Sequence, residues 1–142
     1  MGLASYILEK FSTWTKHDQS AAYDNPITLD EALTNIMIYW FSGNIISSQR
    51  YYKENIASTE WMDLERYPVE VPTGMAAFPQ ELFIQPKSFL TNKFPNIVSY
   101  HDIPEGGHFA AFEQPKLLYD DIVQFVKKVE KKAKNNANKA EL

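Results

Sequence analysis

The residue with the clearest chemical potential is a histidine in a glycine-rich loop. His108 directly follows Gly106 and Gly107 and precedes Phe109. Glycines ahead of a histidine allow a tight turn that presents the imidazole at a loop tip, and the neighbouring aromatic ring can exclude water. An imidazole in such a place can take and return protons near neutral pH. The alternative is a structural histidine, which is the commoner role of a single histidine.

A histidine that acts as a base needs a carboxylate to hold its tautomer, and two candidates precede His108. Glu81 comes after a strand-like run and its turn, where active-site carboxylates lie in parallel sheets. Its alternative role is that of an acidic residue at the start of a helix, where the helix dipole favours it. Asp102 lies only six residues before His108, and we expect it to serve the turn of that loop.

The remaining histidines and the motifs that are missing limit the chemistry. His17 lies in a polar stretch and is expected to be exposed, whereas His101 lies at a strand end and is expected to be structural. No two histidines have the i, i+4 spacing of a zinc site, and the chain has no cysteine, so we expect no metal. The sequence contains no serine elbow, phosphate-binding loop or dinucleotide fingerprint, so we expect no cofactor.

Composition and charge describe an ordinary globular chain with many aromatic residues. The 142 residues are 44% hydrophobic and 14% aromatic, and the formal net charge is −4. Aromatic side chains suit an apolar pocket as well as a core. The acidic balance argues against nucleic acid as a partner, because phosphate binding normally needs an excess of Lys and Arg. No apolar run approaches the roughly 18 residues that a membrane span needs.

The first half of the chain is predicted to be helical. Apolar residues spaced three and four apart predict an amphipathic helix over Leu3–Thr15. Thr28 and Glu31 form a capping box ahead of a second helix, which should end at Gly43. A third helix is expected over Ser47–Asn55.

The second half is predicted to alternate strands and helices. Strands are expected over Val69–Pro72, with a turn at Thr73–Gly74, and over Ile97–Tyr100. A short helix is expected from Pro79, and Pro115 should begin the last helix. This order is typical of the last two units of a doubly wound parallel sheet. Two such strands cannot stand alone, because both faces must be covered, so we expect the rest of the sheet to come from elsewhere.

The last predicted helix has one apolar face and a basic end. The face is expected to carry Leu118, Ile122, Phe125 or Val126, and Val129. The lysine-rich segment from Lys127 onward is predicted to be a solvated helix end, and a basic docking site is the alternative.

Four segments have a distinctive sequence: Gly2–Phe11, Ile46–Asn55, Val71–Leu82 and Gly106–Glu113. In this order they resemble the microsomal epoxide hydrolases, including the insect juvenile hormone epoxide hydrolases. They extend over nearly the whole chain apart from the lysine-rich tail. The resemblance implies an α/β fold, namely the C-terminal part of an α/β-hydrolase with a helical cap segment.

The resemblance also implies a two-step conversion of an epoxide and water to a vicinal diol. In this family an aspartate opens the epoxide and forms a covalent ester, and a histidine paired with an acid activates the water that hydrolyses it. By motif, His108 resembles that base and Glu81 its acid. Tyr52 resembles the second of two cap tyrosines that donate hydrogen bonds to the epoxide oxygen. Tyr51 stands where the family commonly has an aromatic residue, so we expect it to pack.

The same resemblance divides the chain and implies its partners. Residues 1–65 resemble the end of the helical cap, residues 66–132 the last strands and helices of the hydrolase core, and residues 133–142 form a polar tail. The nucleophilic aspartate, the first cap tyrosine and a membrane anchor are expected upstream of Met1. The implied partners are a small apolar epoxide, such as juvenile hormone or a xenobiotic, water, and the N-terminal half of the fold. The implied location of the full-length protein is the endoplasmic reticulum membrane.

Two other interpretations are open. The first is a non-catalytic fragment, because none of the aspartates here has the strand–turn–helix setting of a nucleophile. The second is another α/β-hydrolase, such as an esterase or a haloalkane dehalogenase, that shares the acid–histidine end. Tyr52 argues against the second, since a tyrosine that stabilises an alkoxide suits epoxide opening.

Overall fold

The structure, a computed structural model, describes residues 1–16 and 26–140. Four helices make up the helical region (residues 1–16 and 26–65), and both strands lie in the strand region (residues 66–132). The predicted exposure of His17 lies outside the described residues. The elements, in chain order, are α1 (Gly2–Thr13), α2 (Leu29–Ser42), α3 (Ile45–Ala57), α4 (Glu60–Leu64), β1 (Thr73–Ala77), α5 (Lys87–Leu90), β2 (Ile97–Asp102), α6 (Ala110–Glu113) and α7 (Pro115–Ala140).

Helices α1 and α2 begin and end close to where the sequence predicts. Helix α1 corresponds to the predicted Leu3–Thr15. The capping box ahead of α2 is confirmed, because the Glu31 amide donates to Thr28 Oγ1 at 3.3 Å and the Glu31 carboxylate accepts from the Thr28 amide at 2.8 Å. Helix α2 gives way to Gly43, whose φ of 62° is the left-handed conformation that commonly ends a helix.

A small apolar core joins the two regions. Phe11 of α1 and Ala32 of α2 are buried together with Ile27, which precedes α2. Phe109 of the strand region packs against them. The rings of Phe11 and Phe109 meet edge to face, with centroids 4.7 Å apart. Burying a large apolar side chain contributes roughly 1.5–3 kcal/mol, so this contact holds α1 against the loop that follows β2.

The two strands pair in parallel, as predicted, but the first lies further along the chain than expected. The strand is Thr73–Ala77 rather than Val69–Pro72, and the predicted turn at Thr73–Gly74 is wrong. The predicted run ends in a proline, which has no amide to donate to a ladder. Gly74 lies inside the strand because α7 crosses there, and a Cβ on Gly74 would lie 2.7 Å from the ring of Phe125.

The helix predicted from Pro79 is also wrong, because the chain makes only a turn there, with the Glu81 amide donating to the Phe78 carbonyl at 3.2 Å, and α5 begins later. The Gln80 amide donates to the Gly106 carbonyl at 3.0 Å, and Gln80 pairs with Gly107 in an isolated parallel bridge. The parallel pairing therefore continues past the ends of both strands. It carries Glu81 to the loop that follows β2.

Helix α7 begins at Pro115, as predicted, but its buried face differs from the expected one. Ile122 is exposed, so that part of the prediction is wrong. Asp121 is buried instead, because its carboxylate pairs with His101 of β2. Residues 131–138 are helical and exposed, as the predicted solvated helix end requires. Within the described part of the chain, no helix is both long and apolar enough to cross a membrane.

Candidate active site

The histidine singled out by the sequence is bonded to one of the two predicted acids. His108 Nδ1 lies 2.6 Å from Glu81 Oε1, and both side chains are about one-third exposed, at 37% and 35%. Glu81 Oε1 also accepts the Leu82 amide at 2.7 Å, which fixes the carboxylate. Because a carboxylate only accepts hydrogen bonds, this contact places the imidazole proton on Nδ1 and leaves a lone pair on Nε2.

The competing acid lies elsewhere. Strand β2 extends beyond the predicted Tyr100 to Asp102, which pairs in register with Ala77 of β1. Asp102 is thus a strand residue, and the expectation that it belongs to the turn of the loop is wrong. Of the two carboxylates that the sequence left open, Glu81 is the one that contacts His108.

Tyr52 and His108 lie on the wall of one cavity between the two regions. The cavity has a volume of about 350 Å³. Tyr52 comes from α3, and its ring packs edge to face against Tyr51 at 5.8 Å. The lining residues are Tyr6, Ile7, Lys10, Phe11, Trp14, Asn35, Tyr39, Ser48, Tyr52, His108 and Phe109.

Aromatic rings surround the imidazole. Trp14 and Phe109 both meet the His108 ring edge to face, with centroids 5.0 and 5.2 Å away. Such contacts contribute roughly 0.5–1.5 kcal/mol each for aromatic pairs. They also give the imidazole of His108 apolar neighbours. The Lys10 ammonium lies over the Trp14 ring at 4.6 Å, so a cation stands at the edge of the same cavity.

The second histidine–carboxylate pair in the strand region lies outside this cavity. His101 Nδ1 contacts the buried Asp121 carboxylate, and His101 Nε2 lies 3.2 Å from the Lys128 ammonium. Both ring nitrogens of His101 are therefore engaged, and the pair joins β2 to α7. The expectation of a structural role for His101 agrees with this arrangement. His108, by contrast, has no hydrogen-bond partner for Nε2 within the described part of the chain.

Several cavity residues were not identified from the sequence as part of a site. Trp14 and Phe11, which line the cavity, were assigned only to the face of an amphipathic helix. The signal available for them was the high aromatic content, which fits a pocket as well as a core. Among the residues that the structure describes, no three histidine or acidic side chains converge to form a metal site.

The sequence is similar to known epoxide hydrolases over most of its length. It is 50% identical over 136 residues to epoxide hydrolase 1 of Oryctolagus cuniculus, covering 92% of this chain and 30% of the relative. It is 42% identical over 132 residues to juvenile hormone epoxide hydrolase 1 of Ctenocephalides felis, covering 89% and 28%. No protein-family profile matches the chain. The chain therefore spans about 30% of the length of the curated relatives that it matches.

Two solved structures share the fold. The crystal structure of juvenile hormone epoxide hydrolase from the silkworm Bombyx mori superposes with a TM-score of 0.80 at 38% identity, over 92% of this chain and 32% of that one. The epoxide hydrolase of Aspergillus niger superposes with a TM-score of 0.72 at 28% identity, over 90% of this chain and 30% of that one.

The parallel strands, the acid after the first strand and the histidine after the second define the chain as the C-terminal portion of an α/β-hydrolase fold. Within that class, the chain is similar in sequence and fold to the C-terminal part of epoxide hydrolase 1 and of juvenile hormone epoxide hydrolase.

Proposed function

We propose that this chain provides the base, its acid and one tyrosine for the hydrolysis of an epoxide to a vicinal diol. The observation that carries the proposal is that His108, bonded to Glu81, lines the same cavity as Tyr52. The relatives that match the chain are named epoxide hydrolases, which supports the same reaction.

His108 serves as the general base of the second step. With its proton on Nδ1 directed to Glu81, Nε2 accepts a proton from water, and the hydroxide attacks the ester carbonyl carbon. The acyl–oxygen bond then breaks, and the imidazolium returns its proton to the departing alkoxide. The new carboxylic acid gives its proton to the alkoxide that ring opening left, so the products are the diol and the free carboxylate. Glu81 holds the imidazole in this tautomer and stabilises the imidazolium that forms.

Tyr52 serves in the first step. Its hydroxyl donates a hydrogen bond to the epoxide oxygen, where negative charge develops as the ring opens. Aromatic and aliphatic side chains make up much of the cavity lining, which suits a small apolar epoxide. The nucleophilic aspartate comes, in this proposal, from the part of the hydrolase fold that precedes the segment matched here.

The proposed roles follow a division of the chain into three parts. Residues 1–65 form the end of the cap, residues 66–132 the end of the hydrolase core, and residues 133–142 a polar tail. The cavity between the first two parts is then the substrate site. By the same resemblance, we place the whole protein at the endoplasmic reticulum membrane, acting on juvenile hormone or a xenobiotic epoxide.

A hybrid protein tests the proposal directly. The segment of this chain that matches the Oryctolagus cuniculus relative replaces its counterpart in that protein, and formation of diol from styrene oxide is measured. We expect turnover in the hybrid and none in the 142-residue chain alone, because only the hybrid supplies a nucleophile. A folded hybrid that forms no diol contradicts the proposed function. Diol formation by the chain alone contradicts the origin proposed for the nucleophile.

A further inference from the structure

A buried carboxylate joins the helical region to the loop that carries His108. Glu113 is 7% exposed. Its Oε2 accepts the Lys16 amide at 2.8 Å, and its Oε1 accepts the Phe109 amide at 3.1 Å. Burying a carboxylate is costly unless its oxygens are hydrogen-bonded, and both oxygens of Glu113 are. One side chain therefore bridges the segment after α1 and the residue next to His108.

The backbone makes a third link at the same place. The His108 amide donates to the Trp14 carbonyl at 2.9 Å. The two chain segments approach so closely that a Cβ on Gly107 would lie 2.8 Å from that carbonyl, a distance that side chains essentially never show. The Trp14 ring also meets the His108 ring in an edge-to-face contact. The end of α1 thus contacts both the backbone and the imidazole of His108.

The pairing with Glu81 does not by itself fix how deeply the imidazole enters the cavity. Both partners of that pair are about one-third exposed, so solvent competes for the single bond at Nδ1. The hydrogen bond from the His108 backbone to Trp14 adds a second fixed point. Glu113 secures this point because it bonds to one residue on each of the two linked segments. Lys16 follows Trp14 on one segment, and Phe109 follows His108 on the other.

We propose that Glu113 is a positioning residue for His108: its buried carboxylate holds the end of α1 against the histidine-bearing loop and so sets the position of the imidazole relative to the cavity. This role rests on the proposed function, in which His108 is the general base. Glu113 itself does not line the cavity and is not a catalytic residue in this proposal.

The neighbouring Glu105 provides a contrast within the same contact. Its Oε2 pairs with the Lys16 ammonium at 2.8 Å, so it also joins the same two segments. Both partners of that ion pair are strongly exposed, at 53% and 42%. Exposed ion pairs contribute little, because solvent screens them and two long side chains must be ordered. Glu105 is therefore a matched control for Glu113.

The test uses NMR spectroscopy of the full 142-residue chain. It measures the nuclear Overhauser contact between the Trp14 and His108 rings and the hydrogen-exchange rate of the His108 amide. In Glu113→Gln the side-chain NH₂ faces one of the two amide donors, so one bond is lost without a change of shape. We expect the ring contact to disappear and the His108 amide to exchange at least roughly tenfold faster. Glu105→Gln should leave both signals unchanged.

A second pair of variants breaks the same bond from the other side. Lys16→Pro removes the amide that donates to Glu113 and should reproduce the effect of Glu113→Gln, whereas Lys16→Ala keeps that amide and should not. The proposal is overturned if both disrupting variants keep the ring contact, or if the unsubstituted chain lacks it. It is also overturned if amides of β2 exchange faster by the same factor, because Glu113 would then serve the whole fold. None of these measurements needs turnover, so a hybrid without activity would contradict the proposed function alone.

Discussion

The strand region and the helical region hold their chemically important side chains in different ways. In the strand region, backbone pairing extends past β1 and β2 to Gln80 and Gly107, and it delivers Glu81 and His108 to each other at 2.6 Å. In the helical region, Tyr52 lies on α3, which has no buried residue. The Glu81–His108 pair is thus organised by the backbone, whereas the position of Tyr52 depends on how the helices dock.

Because of this difference, mutations in the two regions should have different effects: on the reaction in the strand region and on the docking of helices in the helical region. Backbone hydrogen bonds do not depend on the identity of the side chain, so a change of side chain there should alter the reaction rather than the geometry. Docking of helices rests on apolar contacts such as that between Phe11 and Phe109, which respond to changes of volume. Reaction rates are to be measured on the hybrid protein, and stability on the 142-residue chain.

The largest effect is expected from His108→Gln in the strand region. Loss of the general base should lower turnover about 10²–10⁴-fold and leave the covalent ester in place. The measurements are steady-state diol formation and the mass of the intact protein after exposure to the epoxide. His101→Gln is the matched control, because that histidine pairs with Asp121 outside the cavity. Equal losses in both variants would contradict the assignment of the base.

The next effect tests the helical region. Tyr52→Phe removes one hydrogen bond to the developing alkoxide and should slow ester formation about 10²-fold. The measurement is the single-turnover rate of the first step. Tyr51→Phe should leave that rate unchanged, since Tyr51 packs against Tyr52 and does not line the cavity. A slow second step in Tyr52→Phe, with a normal first step, would show that Tyr52 does not act in ring opening as proposed.

A smaller loss is expected from the acid of the strand region. Glu81→Gln keeps an acceptor for Nδ1 but loses the charge that stabilises the imidazolium, so ester hydrolysis should slow, by less than in His108→Gln. The single-turnover rate of the second step measures this change. Asp102→Asn is its control, because Asp102 lies in β2 and does not contact His108. A larger loss in Asp102→Asn would exchange the roles of the two acids.

The boundary between the two regions is tested by Gly107→Ala. The new Cβ would lie 2.8 Å from the Trp14 carbonyl and 3.0 Å from the Gln80 carbonyl, so the backbone must shift. We expect the free energy of unfolding to fall by about 1–3 kcal/mol, measured in urea. Gly2→Ala should have little effect, because nothing lies within 4 Å of its added carbon. Equal stability of the two variants would show that the regions do not dock tightly.

The smallest effect concerns the helical region alone. A hydrogen bond from the Thr28 side chain, followed by one from its amide, lowers the pKa of Glu31 below its ordinary value of 4.5. A lowered pKa in the folded state gives stability that is present above the unfolded pKa and is lost as the pH falls through the folded value. The difference in urea midpoint between wild type and Glu31→Gln should therefore be present at pH 7 and shrink as the pH falls below 4.5. Asp30→Asn removes the other acidic charge of the first turn, and an equal change of urea midpoint in that variant would assign the effect to the helix dipole rather than to the capping box.

The sequence predicted local features more accurately than long-range ones. The capping box at Thr28 and Glu31 and the helix start at Pro115 depend on neighbouring residues, and both are confirmed. The start of β1 and the helix expected from Pro79 were wrong. Those features depend on which backbone groups find partners across the sheet, and no local pattern specifies that choice.

The same division applies to the candidate site. The glycine-rich turn before His108, the preference for Glu81 over Asp102 as the acid, and the order of the segments that resemble epoxide hydrolases are all readable from the sequence. The contact of Glu81 with the imidazole depends on the fold, because the parallel register past the strand ends sets that distance. The contact of Glu113 with the end of α1 was likewise invisible beforehand, since it joins residues 97 positions apart.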